Sequence, residues 1–474
     1  MDQSPLSPRT WPFDLAWLPE TAHLVGGVVR DALLGRQPDY LDLDFVLPEG
    51  SVETARAIAR HHKAGFVVLD AERQIARVVF GSATVDFALQ EGENLEADLK
   101  RRDFTINAIA YSPHGSSLVD PVGGYGDLQQ RRLRMISRQN LADDPLRLLR
   151  AYRQAAQLGF ELEAETERAI GELSDRLGQV AAERVQSELN TLLSSAKGTP
   201  WLHRAWTAGL LRPWLPDLDA QRLGQVAQLD ALEPLLQECW PALLQPPPSF
   251  LKSSLGKQGC IPLAKLVSLG ANLPEAAESQ VQRLKYSRLE MRAAGTVRRL
   301  QPQLRPPLED ASAGQTLRAV VQPSAGEQLL QQAAGTARSL SIRDQYFLFQ
   351  NAGDLFPILI LVELAQQLQA PELAPIPAPA PTQSPWPPAP SLTQRLQASP
   401  LLPLIDRYLD PQDATAHPRP LLSGKALMQT LALTPGPQVG LLLTELQIAQ
   451  AEGQVETIPG AIAWLLAHQA RPLS

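Results

Sequence analysis

The sequence predicts an α+β protein, with a head over residues 15–135 that combines a small mixed sheet with helices. An all-α neck (136–200), body (201–369) and tail (399–474) follow. Three observations predict this. Short apolar runs with strand periodicity mark the first part of the chain, and from about Asn140 the strand signals stop and helical patterns rich in Leu, Ala, Gln and Glu take over. A Pro/Ala-rich stretch over 370–398 then reads as a polyproline-II linker before the last helical segment.

Composition bounds the function. With 474 residues, 44% of them apolar, the chain can fill the cores of several domains. Cys239 and Cys260 alone make neither a disulfide framework nor a CxxC metal pair, which fits a reducing, cytoplasmic setting. Met1 to Pro12 lacks the basic and apolar regions of a secretory signal. Leu355 to Leu368, the most apolar run, is short, contains Glu363 and reads as a core helix, so no membrane partner is expected. The net charge of −7 hides an uneven distribution: between residues 100 and 160, Lys and Arg number ten against five Asp and Glu. Basic charge gathered in an acidic chain suits contact with phosphates at one site.

In chain order, Leu24 to Asp31 reads as strand, Gly26-Gly27 turn and helix start, an arrangement that offers backbone N–H groups and the Arg30 guanidinium to phosphate. Leu41-Asp42-Leu43-Asp44-Phe45-Val46 reads as a strand. Its period of two places Asp42 and Asp44 on one face and Leu41, Leu43 and Phe45 on the other, buried one. Two carboxylates so close repel each other, and their natural partner is a hard divalent cation, Mg²⁺ first. Ser51 is expected to N-cap a helix running to about Lys63 and closed by Gly65. Strands at Phe66–Leu69, Gln74–Phe80 and Ala83–Leu89 follow, the last two as a hairpin through Gly81-Ser82, which makes Asp86 a candidate third carboxylate.

Leu99, Ile106 and Ile109 have helical spacing across Asp98–Ala110, and the glycines of Asp120–Leu128 read as loop or hinge. Asp144 is placed as N-cap with Pro145 at the first helical position. Asp144, Arg147, Arg150 and Arg153 then form a slanted polar stripe, while Leu146, Leu148 and Leu149 cover the other side. Breaks in the helical body fall at Gln245–Ser249 and Arg305–Pro307, and tail turns at Leu422–Lys425, Thr434–Pro437 and Gly453. Taken singly, each feature has a bland reading. Asp42/Asp44 could be a solvated strand end, Asp144 a plain helix cap, the arginines an exposed face, and Asn107 a partner for loop backbone. Jointly, they point to metal-dependent chemistry on a nucleoside triphosphate.

The motifs Gly26-Gly27-Val28-Val29-Arg30-Asp31, Asp42-Leu43-Asp44, Arg101 to Ala108, Asp120 to Leu128 and Asp143-Asp144-Pro145-Leu146-Arg147 resemble, in order, those of the bacterial-type (class II) tRNA nucleotidyltransferase and poly(A) polymerase family. The resemblance implies a polymerase-β-like nucleotidyltransferase head. It implies that Asp42 and Asp44 bind Mg²⁺ as the catalytic pair, that Gly27 and Arg30 meet the triphosphate, and that Arg102 and Asp103 meet the ribose side. Asp144 and Arg147 would read the base edge, with Arg150 and Arg153 also on the nucleotide. The partners implied are the tRNA 3′ end and CTP, with ATP as the alternative. Asp143 stands where the family usually has Glu. Only 14 residues, 87 to 100, separate Asp86 from Arg101, where CCA-completing and A-adding relatives carry a longer loop. The resemblance therefore favours a CC-adding enzyme, with a second enzyme adding the terminal A. The alternatives are full CCA addition, poly(A) tailing, or an inactive tRNA 3′-end binding protein.

Overall fold

A computed structural model describes residues 4–37, 40–305, 340–369 and 391–468. The chain forms two compact units, Met1–Pro216 and Asp217–Ser474. The first contains a seven-stranded sheet in the order β3-β4-β5-β2-β1-β6-β7. Its strands are β1 (His23–Val25), β2 (Leu41–Leu47), β3 (Gly65–Asp70), β4 (Ile75–Val79), β5 (Ala83–Leu89), β6 (Ala110–Ser112) and β7 (Ser117–Val119). Only β2 and β5 pair in parallel, which makes the sheet mixed as expected and mostly antiparallel.

Alternation along β2 sorts its residues by face. Leu43, Phe45 and Leu47 are buried, with the Phe45 and Phe87 rings stacked 5.5 Å apart. Trp11 packs edge-on against Phe45 at 5.1 Å, and Phe13 also touches it, so the head core begins before residue 15. On the opposite face, Asp42 is exposed, Asp44 partly buried and Val46 buried among Val25, Leu99, Ala108 and Ala110. The aspartates therefore stand where an apolar face gives way to solvent.

Helix α1 (Gly27–Leu33) follows β1 directly, and α2 (Ser51–His62) lies between β2 and β3. Two expectations at α2 need correction. Gly50, in the left-handed region, occupies the N-cap position, while Ser51 is buried in the first turn and donates to Gln74 O at 2.7 Å. Lys63, with φ of 53°, closes the helix, and Gly65 opens β3. The expected helix over Asp98–Ala110 is instead three elements: α3 (Leu95–Lys100), a 3-10 turn (Thr105–Asn107) and β6. The glycines of Asp120–Leu128 belong to a helix start rather than to an open loop. Gly123 has φ of 74° and starts α4 (Gly124–Gln129), whose first N–H groups donate to the Asp120 carboxylate. Gly124 packs so closely on the Thr105 carbonyl that any Cβ would overlap it.

Beyond the head come α5 (Arg138–Asp143), α6 (Leu146–Leu158), α7 (Ala164–Leu173), α8 (Ala182–Ser194) and α9 (Gly198–Thr207), with α6 packed against α8 and α9. Strand structure does not end at Asn140: β8 (Arg132–Leu133) pairs in parallel with β9 (Glu161–Leu162). Helix α9 runs through the expected boundary at residue 200, and the compact unit continues to Pro216.

In the second unit, α10 (Ala220–Cys239), α11 (Pro241–Leu244), α12 (Cys260–Leu269), α13 (Pro274–Arg283) and α14 (Arg288–Leu300) build the helical body. Ile342–Gln367 is a helical run of 26 residues, apolar and long enough to cross a membrane by length and composition. Every residue from Phe356 to Ala365 is buried, as in a core helix. Most of the expected linker, 370–390, lies outside the described residues. Its end is ordered, because Ser391 and Gln394 form a capping box on the helix Leu392–Gln397. The tail helices from Gly424 to His468 enclose their own apolar cluster around Leu427, Leu442, Leu446 and Leu465.

Candidate active site

The parallel register of β2 and β5 sets Asp44 opposite Asp86 and Asp42 opposite Thr84. Thr84 Oγ1 donates to Asp42 Oδ1 at 2.6 Å. Arg77 on β4 donates to both Asp86 oxygens at 2.7 Å, so Asp86 carries its own countercharge, and that pairing raises the Arg77 pKa. Among the described residues, Asp44 has no such paired guanidinium. Burial, reinforced by Asp42 and Asp86, pushes its pKa up to about 7 against the pull of Arg102 and Arg77. A bound cation would relieve that strain, so the donor set fits a hard divalent metal. Among the described residues, no group of three or more His, Cys, Asp or Glu side chains is arranged for a metal, and Asp86 is tied to Arg77.

This shift fixes a pH dependence. A carboxyl whose pKa rises on folding favours the native state while protonated, and that contribution is lost as pH climbs toward the folded value. In chelator-treated protein, stability should therefore fall between pH 4 and pH 7, by on the order of 1.4 kcal/mol per unit where the difference is fully expressed. Urea unfolding at several pH values checks this against Asp44→Asn. Equal slopes in the two proteins would refute it.

Gly26, with φ of 78°, turns β1 into α1 beside these carboxylates. A Cβ there would stand 3.4 Å from Asp44 Oδ2 and 3.7 Å from Arg102 Nη1, so the glycine lets the turn approach both. The turn opens one side of a cleft of about 400 Å³. Arg30 is held there by Asp31, through Nε and Nη2, and by Asn107 Oδ1, 2.8 Å from Nη1. Asn107 Nδ2 donates in turn to Asp103 Oδ1 and Gln154 Oε1, both at 2.9 Å. Asp103 also accepts from Phe104 N, Arg150 and Gln154. Burial would raise its pKa, but Arg150 and these donors outweigh it and hold the carboxyl below its ordinary value. Buried Asp98 accepts from Arg102 Nη2 at 3.0 Å and so aims that guanidinium.

Helix α6 supplies another side of the cleft. The N-cap of α6 is Pro145 rather than the expected Asp144, which is extended and ends α5; Asp144 Oδ1 still accepts from Leu146 N at 3.3 Å and so ties down the first N–H of the helix. Its Oδ2 accepts from Arg184 on α8 at 2.9 Å, with Arg147 Nε 3.9 Å away. Arg147 Nη1 donates to the carbonyls of Arg101 and Asn140, and burial lowers its pKa. Asn140 itself donates to the carbonyls of Lys100 and Arg102 at 2.7 Å, tying α5 to the end of α3. Glu188 on α8 pairs with both Arg150 and Arg153.

All eight residues expected at the nucleotide, Gly27, Arg30, Arg102, Asp103, Asp144, Arg147, Arg150 and Arg153, line this one cleft together with Asp44. Asp42 and Asp86 flank Asp44 on the sheet and are not part of the lining. Two expectations shift. Asp103 is spent on protein donors, chiefly Arg150, rather than left open toward a ribose, and Asn107 bonds side chains rather than loop backbone. Gln154, Arg184, Glu188 and Asp98 were not legible as site residues, since each matters only through a partner brought near by folding.

Residues 22–134 match the family described as Poly A polymerase head domain, and residues 159–222 match the probable RNA and SrmB-binding site of polymerase A. The chain is 42% identical to a CC-adding tRNA nucleotidyltransferase of Synechocystis sp., over 96% of this chain and 95% of that protein. It is 32% identical to an A-adding tRNA nucleotidyltransferase of Deinococcus radiodurans, over 94% and 95%. The fold resembles that of the Thermotoga maritima CCA-adding enzyme solved with tRNA, with a TM-score of 0.61 at 20% identity, covering 94% of this chain and 91% of that one.

Proposed function

The chain belongs to the tRNA nucleotidyltransferase and poly(A) polymerase family, and from that premise we propose that it extends the tRNA 3′ end by two cytidines taken from CTP. It is an RNA nucleotidyltransferase, and its template is protein. The observation that carries this reading is that one cleft is lined both by the Asp44 carboxyl and by Asp144 and Arg147, the side chains expected to read the base.

Each residue then has a role. Arg30, braced by Asp31 and Asn107, meets the triphosphate beside the Gly26-Gly27 turn, where no side chain stands in the way. Arg102, aimed by Asp98, stands with Asp44 beside the Gly26 turn and is the ribose-side contact. Asp42 and Asp44 would hold Mg²⁺, which when bound supplies positive charge to the triphosphate and favours ionisation of the RNA 3′-hydroxyl. Asp103 and Glu188 fix Arg150 and Arg153 in the cleft, so the guanidiniums are preorganised before nucleotide arrives. Asp144 accepts from an exocyclic amine while Arg147 donates to a ring nitrogen or carbonyl, a pattern cytosine satisfies and uracil does not.

The choice of CC over CCA rests on the close relative and on the 87–100 connection. That connection is short and tied down: Gln90 N donates to Leu47 O at 2.7 Å, Glu91 N to Asp98 Oδ1 at 3.1 Å, and Asn94 caps α3. It leaves no long loop to reshape the cleft for ATP, so the terminal A falls to a partner enzyme on the same tRNA. The test is product length. tRNA lacking its 3′ end, incubated with CTP and ATP together, should gain two cytidines and stop; a terminal A added by this protein alone would overturn the CC assignment.

A further inference from the structure

A second polar cavity, of about 210 Å³, lies wholly within the helical body and plays no part in the transfer site. Arg222, Arg298 and Arg305 converge on it, from α10, from the last turn of α14 and from just beyond α14. Arg298 has an evident structural duty. Its Nη2 donates to the carbonyls of Val267, Ser268 and Gly270 and thereby caps α12, and its Nη1 donates to Gln301. Capping explains one arginine, not three.

Arg222 Nε donates to the same Gly270 carbonyl at 3.0 Å, so two guanidiniums share one acceptor. Arg305 closes the group, with Nη2 on Gln366 and Nε 3.5 Å from buried Glu363. Among the described residues, only Asp219, on Arg222, and Glu363 pair with the three guanidiniums. The remainder falls on Arg298, which is 5% exposed, and whose pKa is brought down to about 10 by burial and by Arg222 and Arg305. Its Nε is buried and has no hydrogen-bond partner among the described residues. A buried guanidinium with an idle donor, beside two more guanidiniums, costs free energy unless an acceptor of negative charge completes it. At about 30 Å³ per water, the cavity has room for several waters or for one tetrahedral oxyanion with part of its shell.

We propose that this cavity binds a phosphate group, held by Arg222, Arg298 and Arg305. Fixed guanidiniums match phosphate oxygens in geometry as well as charge. The group could come from an RNA backbone or from free phosphate, and the chemistry at the cavity is the same.

Crystals of the full-length protein soaked in sodium selenate test the site directly, because anomalous scattering locates the anion. A peak within hydrogen-bond distance of Arg298 Nε and of Arg222 or Arg305 is expected. The absence of a peak in this cavity would overturn the proposal, even with selenate bound in the transfer cleft, and would leave the function proposed above untouched. Arg305→Gln, at a half-exposed position, should keep the fold and lose the peak, and an undiminished peak in the variant would count against the three-arginine site. Binding assays at several salt concentrations distinguish the sources. If the phosphate is RNA's, Arg305→Gln weakens tRNA binding by roughly three- to tenfold and lowers the log–log salt slope by about one. Unchanged tRNA binding with the anion peak present in wild-type crystals assigns the site to free phosphate.

Discussion

Replacing Asp44 with asparagine should lower cytidine incorporation by on the order of a thousandfold or more, since several kcal/mol of charge stabilisation are withdrawn from the reacting phosphate. Asp42→Ala should do the same. The informative feature is what does not change. Asp44 is a buried carboxyl beside two others, so the asparagine variant should be no less stable than the wild type in chelator at pH 7.5. tRNA binding should also persist, because the expected phosphate contacts lie elsewhere. Single-turnover incorporation, tRNA retention on filters and urea unfolding separate these outcomes. Activity kept within tenfold of wild type would refute the metal assignment, and a loss of activity that tracks a loss of stability would reduce Asp44 to a structural residue.

The head was legible because its strands obey a period of two. In β2, Leu43, Phe45 and Leu47 are buried, and the aspartates between Leu41 and Phe45 face the other way. Asp144 read as the cap of α6 from its place before Pro145; Pro145 takes the N-cap position, and Asp144 contributes one bond to Leu146 N. Misreadings came where three-dimensional contact overrode local pattern. Leu99, Ile106 and Ile109 have helical spacing, yet they are buried from α3, from a 3-10 turn and from the residue before β6. The glycines after Asp120 look like a hinge, but Gly124 is small because the Thr105 carbonyl lies against it. Ser51 is a good cap by type, yet its hydroxyl finds Gln74 instead.

The site was legible only in part for the same reason. Residues that would touch nucleotide carry a motif of their own, whereas those that hold them do not. Arg184 meets Asp144 across 40 residues, and Gln154 meets Asn107 across 47. No local pattern announces such pairs. They also change what the motif residues mean: Asp103 sits within a motif, but its contacts make it a brace for Arg150.

Asp144 and Arg147 carry the second large expectation. Losing either should relax selection of CTP over UTP by roughly ten- to a hundredfold, since a good amino-acid to base-edge pair contributes about 1–3 kcal/mol of discrimination. The difficulty is that Asp144 also accepts from Leu146 N at the start of α6, so Asp144→Ala removes that cap-like bond together with a reader. Asp144→Ser separates the two, because serine caps nearly as well but presents a hydroxyl rather than a carboxylate to the base. If Asp144 reads cytosine, the serine variant should be as stable as the wild type and as unselective as the alanine variant. If it only caps, the serine variant should restore selectivity. Arg147→Ala leaves the start of α6 intact and gives up only its bonds to the Arg101 and Asn140 carbonyls, and its loss of selectivity should match, because a base edge held at one end can rotate away from the other. Competition between CTP and UTP on tRNA lacking its 3′ end gives all three ratios in one assay.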